Sequence, residues 1–187
     1  RMLAGALLSI LSPVLLLISA AVALDSPGPV LFRQPRYGFN SNEFKVLKFR
    51  TMRHIAANAG DVAQARANDP RVTPVGRFLR RTSLDELPQL FNVLAGDMSL
   101  VGPRPHAVPH NVMYAGLLDG YLQRHRMKPG ITGWAQVRGF RGEIRSPEDM
   151  RLRVQHDLYY IEHWSLLFDL KILFLTVLTG FAHRKAY

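Results

Sequence analysis

The chain has 187 residues, is 48% hydrophobic, carries a formal net charge of +10 and contains no cysteine. That length supports one domain with a real core plus appended elements. The missing cysteines exclude disulfides and thiolate metal sites and fit a reducing compartment, while the charge calls for an anionic partner: nucleic acid, an acidic membrane face or a phosphorylated substrate.

Met2 to Leu24 contains no charged residue. As a straight helix it reaches about 35 Å, enough to cross a bilayer core of about 30 Å. The chain starts at Arg1, and the stretch before Asp25 lacks a clean small-x-small cleavage site followed by a mature polar start, so an internal membrane segment of a longer protein is expected rather than a signal peptide. Pro13 interrupts it. Inside a helix it strips the Ser9 carbonyl of its donor, and the Ser9 and Ser12 hydroxyls are near enough to replace it. A kink at Ser12-Pro13 is expected. Periodicity does not decide whether the kinked helix spans the bilayer or bends back.

Asp25-Ser26-Pro27-Gly28-Pro29 reads as a turn. Val30 to Arg33 and Glu43 to Thr51 read as a β-hairpin with a longer loop. Phe44, Val46, Lys48 and Arg50 share one face by period two. The alanine-rich, polar stretch His54 to Asn68 has no apolar stripe and reads as a mobile loop, a substrate lid, or a loosely held helix. Val75, Phe78 and Leu79 give a short amphipathic helix with Arg77, Arg80 and Arg81 on its other surfaces. Leu84, Leu87, Leu90, Phe91 and Leu94 recur at helical spacing, with Ser83 and Glu86 as a capping box. Pro88 disturbs that helix or marks its true start. Gly96-Asp97 ends it, with Asp97 read as a structural turn residue, and a short apolar stretch, Ser99 to Val101, follows. Trp134 to Val137 reads as a short strand. From Arg124 to Arg153 eight basic residues face three acids. Arg151 to Ile161 is amphipathic, and Ser165 to Phe181, interrupted by Asp169 and Lys171, suits a helix lying on a membrane.

Asp85-Glu86 is the chemically loaded pair. Adjacent acids at a helix start are ordinarily caps. Here Arg80 and Arg81 precede them and Arg104 follows in Gly102-Pro103-Arg104-Pro105. A guanidinium forks onto phosphate, and a cap needs no such escort. The arginines are expected to hold Asp85 ionised, as a nucleophile requires. The histidines lack metal-site spacing, and no glycine-rich phosphate loop is present. Magnesium remains open, because it needs only one or two carboxylates plus substrate phosphates.

Five ordered motifs carry a resemblance: Lys48-Phe49-Arg50-Thr51-Met52, Ser83 to Leu90, Gly96-Asp97-Met98-Ser99, Val101 to Pro105, and Lys128 to Trp134. Nearly end to end the chain resembles the bacterial sugar transferase family, the polyprenyl-phosphate hexose-1-phosphate transferases or monotopic phosphoglycosyl transferases. The resemblance implies transfer of a hexose-1-phosphate from a UDP-hexose to undecaprenyl phosphate at the cytoplasmic face of the bacterial inner membrane, with release of UMP. It implies that Ser12-Pro13 kinks a re-entrant helix and that Asp85 and Glu86 form a catalytic dyad with Mg2+, both as metal ligands and Asp85 as nucleophile. Arg80 and Arg104 match phosphate-binding positions, and Lys48 and Arg50 are grouped with them. Trp164-Ser165, Asp169 to Ile172 and Ala186-Tyr187 look like the long members that start exopolysaccharide, capsule or O-antigen synthesis with glucose-1-phosphate. The chain is therefore expected to be a catalytic fragment of such a protein, with glucose the first sugar and galactose the second.

The expected fold is α+β and mostly helical: a re-entrant membrane helix and turn over 1–29, a catalytic domain with a small β-hairpin over 30–150, and interfacial amphipathic helices over 151–187. Membrane lipid is an expected partner, a homodimer is kept open, and nucleic acid is not expected because no stacking platform or reader motif is present. The competing reading is a non-catalytic membrane module that binds anionic lipid. It keeps the charge and the apolar segment but has no need of Asp85-Glu86 beside Arg104.

Overall fold

The computed structural model describes residues 1–53, 69–142, 144 and 146–182; the stretch read as a loop, lid or loosely held helix, His54 to Asn68, lies outside them. The first element, helix α1 (Met2–Asp25), contains Pro13 and runs unbroken in secondary structure. The Ser9 carbonyl that Pro13 leaves without its helical donor accepts the Ser12 hydroxyl at 2.8 Å. Ala4, Leu8 and Leu11, then Leu15, Ile18 and Val22, pack on the rest of the protein. Their alternating steps of four and three make a narrow seam. The opposite surface is equally apolar but uncovered: Ile10, Leu16, Leu17 and Leu24 are 72–88% exposed. Among the described residues this is the one helix long and apolar enough to cross a membrane, with mean hydropathy 2.5.

Strands β1 (Leu31–Tyr37) and β2 (Glu43–Phe49) form the expected antiparallel hairpin, with Phe32 opposite Lys48. The first strand runs four residues beyond the sequence reading, through Pro35. In a two-stranded sheet a missing donor on an edge strand is tolerated. Helix α2 (Pro74–Thr82) starts at Thr73, whose hydroxyl accepts the Gly76 amide at 3.0 Å. Helix α3 (Gln89–Ala95) is shorter than the apolar spacing predicts, because Pro88 stands at its N-cap. Gly96, at φ 95°, closes it in the left-handed conformation that favours glycine.

Strand β3 (Ser99–Val101) pairs in parallel with β4 (Gly130–Thr132). Between them lie α4 (Val108–Leu117) and a turn of 3₁₀ helix, Tyr121–Arg126. Trp134–Val137, expected as a strand, is a helical turn, α5. Four residues are too few for periodicity to separate the two. Helix α6 (Pro147–Glu162) opens with a capping box between Ser146 and Asp149 that the sequence reading passed over. Helix α7 (Leu166–Ala182) matches the expected C-terminal helix. Over the described residues the fold is thus mixed and mostly helical, with two small sheets.

The glycines of two motifs meet at the β3–β4 pair. A Cβ on Gly130 would stand 2.1 Å from the Gly102 amide nitrogen, and one on Gly102 would stand 2.4 Å from the Lys128 carbonyl oxygen. Backbone against backbone cannot yield as a side chain can. Gly130→Ala should therefore cost about 1–3 kcal/mol, a fall of roughly 2–4 °C in Tm per kcal/mol in a chain of this size. Thermal unfolding of the variant measures it.

Candidate active site

The turn that carries the acids is built by an unusual residue. Ser83 adopts left-handed φ 61° and reverses the chain after α2, and Leu84–Glu86 then forms a 3₁₀ turn before α3. The expected Ser83–Glu86 capping box is absent, because Ser83 does not have the extended backbone an N-cap needs. Its hydroxyl instead accepts Arg141 Nη2 at 2.8 Å. Leu84 and Leu87 pack on the cluster that Ile18 and Val22 of α1 share with Phe49 and Leu79, which ties the turn carrying the acids to the apolar helix.

The two carboxylates have opposite surroundings. Glu86 is buried, and Lys48 Nζ from β2 lies 2.8 Å from its Oε1. Arg104 grips both oxygens, with Nη1 3.1 Å from Oε2 and Nη2 on Oε1. Arg141 Nη2 stands 3.7 Å from Oε2. Burial alone would raise the Glu86 pKa, but Arg104 and Lys48 outweigh it and hold the group well below the usual carboxylate range. Asp85 is half-buried, and no hydrogen bond or ion pair from a described residue reaches its carboxylate. Burial, with the adjacent Glu86 charge, pushes it up to about 6. At that value Asp85 is still ionised near neutral pH, with less margin than the arginines alone would leave. Lys48, Arg104 and Arg80 do pull its pKa down, but desolvation and Glu86 win.

Of the expected phosphate-binding residues, Lys48 and Arg104 meet at Glu86. Arg80 acts on Asp85 through space, and its Nε donates to the Thr51 hydroxyl at 2.8 Å. Arg50 does not join them. Its buried guanidinium donates to the Val22, Ser26 and Pro27 carbonyls and so closes the C-terminal end of α1. Period two places Lys48 and Arg50 on one face, but Arg50 lies just beyond the end of β2. Ser12 and Pro13 sit on α1, remote in sequence from these groups and joined to them through the seam.

Two contributors were missed in the sequence. Arg141 was only one of many basic residues between Arg124 and Arg153. Asn92 sets the register between α3 and β2: it accepts the Leu47 amide at 2.9 Å and donates to the Lys45 carbonyl at 2.9 Å, fixing the strand that presents Lys48. Only the burial of a polar residue inside an apolar helix pattern could have marked it.

An unpaired carboxylate beside a second one locked among three cations is an arrangement chemically able to act on an anionic group such as a phosphoryl. The family comparison agrees with that class. The model of the family described as bacterial sugar transferase matches residues 1–183, and the chain belongs to this family. It is 59% identical over 185 residues to the UDP-glucose:undecaprenyl-phosphate glucose-1-phosphate transferase of Escherichia coli (strain K12), covering 99% of this chain and 40% of that protein. The like-named protein of Klebsiella pneumoniae is 56% identical, over 97% of this chain and 39% of its own length. An exopolysaccharide production protein of Rhizobium leguminosarum bv. phaseoli is 48% identical, with 96% and 92% covered. The chain thus spans about two fifths of the first two relatives.

Proposed function

We propose that the chain transfers hexose-1-phosphate, glucose first, from a UDP-sugar to undecaprenyl phosphate, through a phospho-sugar carried on Asp85. The observation that carries this reading is the contrast within the dyad: one carboxylate is free to react and its neighbour is fully engaged. The Asp85 oxygen attacks the sugar-proximal phosphorus, the phosphorus–oxygen bond to UMP breaks, and UMP leaves with the electron pair. The lipid phosphate oxygen then attacks the same phosphorus, the bond to Asp85 breaks, and the carboxylate is restored. Glu86 is the anchor that aims Lys48 and Arg104 at the phosphoryl oxygens, and its depressed pKa makes it a poor base near neutrality.

Mg2+ fits the Asp85 carboxylate, a hard oxygen donor without a protein partner. Among the described residues no group of three or more His, Cys, Asp and Glu could hold a metal, so the phosphates of the substrates would complete its shell. Glu86 offers less, with both oxygens in ion pairs. Bound there, the ion would neutralise charge developing on the phosphoryl oxygens.

The all-round apolar surface of α1 supports insertion in the cytoplasmic leaflet of the inner membrane, bent at Ser12-Pro13. The docking of Leu84 and Leu87 on that helix then holds Asp85 where a lipid phosphate arrives. The test is UMP release by the chain in lipid nanodiscs. Release that needs UDP-glucose and Mg2+, goes beyond one equivalent per chain only with undecaprenyl phosphate, and stops with EDTA, supports the reading; no release with any UDP-hexose sinks it.

The pH profile gives a second check. With Asp85 raised to about 6, kcat/KM for the UDP-sugar should fall about tenfold per unit below pH 6 and level off above it. The donor limb isolates Asp85, because a diphosphate diester does not titrate there. Mg2+ on Asp85 would pull that limb down, so the profile is read at limiting Mg2+, where a limb near pH 4 would contradict the assignment.

A further inference from the structure

Arg104 reaches Glu86 from a segment with few means of fixing itself. Prolines flank it at positions 103 and 105, and proline has no backbone N–H to give a neighbouring element. The segment is held by its carbonyls instead. The Pro103 carbonyl accepts the Gly130 amide at 3.0 Å, the Arg104 carbonyl accepts Arg124 Nη2 at 2.7 Å, and the Pro105 carbonyl accepts Arg36 Nη1 at 2.9 Å. Three successive carbonyls are thus gripped from three elements: β4, the 3₁₀ helix Tyr121–Arg126 and β1.

Arg124 is itself aimed. Its Nε and Nη2 lie 2.9 and 2.7 Å from Asp157 Oδ2 on α6, and its Nη1 lies 2.7 Å from His106 Nδ1. Its guanidinium carbon stands 5.2 Å from the centre of the Tyr121 ring. Both members of the pair are buried, Arg124 at 3% and Asp157 at 2% exposed. A pair this deep adds little stability over apolar side chains of the same volume. What it does supply is direction. A planar guanidinium engaged on its side, its fork and its face has one orientation left for the N–H that meets the Arg104 carbonyl.

We propose that Arg124, oriented by Asp157, and Arg36 are positioning residues: by fixing the carbonyls of Arg104 and Pro105 they aim the Arg104 guanidinium at Glu86 and at the phosphoryl oxygens beside it. The proposal rests on the reading that Arg104 acts on a phosphoryl group. The Arg104 carbonyl lies at the root of its side chain, so a slip of the main chain passes to the fork. Misplacement by about 1 Å costs enzymes up to about 10²-fold in rate.

The test is Arg124→Lys in the full chain in lipid nanodiscs. Lysine keeps the charge, but a point ammonium does not serve Asp157, His106 and the Arg104 carbonyl in three directions. kcat/KM for UDP-glucose should fall about tenfold. At limiting Mg2+ the acidic limb should also move up from about pH 6, because Arg104 lowers the Asp85 pKa alongside Lys48 and Arg80 and against Glu86. A variant that merely folds less well loses kcat in proportion and leaves KM and the limb in place. In an Arg104→Lys background the same substitution should cost less than about threefold, since the fork it aims is gone. An equal fall in both backgrounds, or none in either, overturns the proposal. If Arg124→Lys does not fold, Arg36→Met, which keeps the stem and removes the donor to the Pro105 carbonyl, is read by the same pair of backgrounds. Without any substrate, the ¹⁵N signals of the Arg104 guanidinium, assigned by their loss in Arg104→Lys, should shift in the folded variant, and unmoved signals also overturn the proposal. That readout needs no turnover, so failure here is distinct from failure to release UMP.

Discussion

Asp85→Asn is expected to lower UMP release by at least about 10⁴-fold, the scale of losing a covalent nucleophile, while the protein becomes no less stable. The second half follows from the sign of the pKa shift. Asp85 titrates at about 6 in the folded protein, above its ordinary value. Its ionised form is therefore disfavoured by folding, and that cost is present above pH 6 and disappears as the pH falls through it. Asparagine removes the charge, so the variant's Tm should match or exceed the parent's at pH 8, with the difference vanishing near pH 4. Retained turnover would refute the nucleophile. A lipid-binding module would show neither turnover nor any consequence of the change on lipid binding.

Glu86→Gln should act in the opposite sense on stability. It leaves Lys48, Arg104 and Arg141 facing a neutral amide. Removing one partner of a buried pair costs about 3–5 kcal/mol, and the lower end applies because Lys48 and Arg104 keep some solvent. Turnover should fall about 10²-fold, since the two cations lose their aim. The residual activity should also titrate differently. Glu86 raises the Asp85 pKa, whereas Lys48 and Arg104 lower it, so the acidic limb should move below pH 6. A stable Glu86→Gln protein with an unmoved limb would show that Glu86 does not organise the site. Side by side, Asp85→Asn separates chemistry from folding and Glu86→Gln joins them.

Much of this was legible in the sequence because the informative residues act through local rules. The charge-free run gives α1, and Pro13 beside Ser12 foretells which carbonyl needs help. In the spacing of Leu84, Leu87, Leu90, Phe91 and Leu94, the first three find the clusters shared with α1 while Phe91 and Leu94 stay about half exposed; Ser83 in a left-handed conformation breaks the expected cap and Pro88 delays the helix. What the sequence hid is non-local. Nothing in the order of residues shows that Arg104 grips Glu86 rather than Asp85, or that Arg50 turns away to close α1. Asn92 and Arg141 carry no motif of their own. The family resemblance named Asp85-Glu86 as a pair, and the fold proposes a division of labour between them: burial without partners for one, three cations for the other.

The most direct test of that division is intact-protein mass spectrometry after mixing the chain with UDP-glucose and Mg2+ and no lipid acceptor. The account predicts a mass increase of one hexose phosphate less water, mapped to the peptide containing Asp85, absent in Asp85→Asn and discharged on adding undecaprenyl phosphate. Full turnover with no adduct on rapid quenching, or an adduct on Glu86, would contradict it.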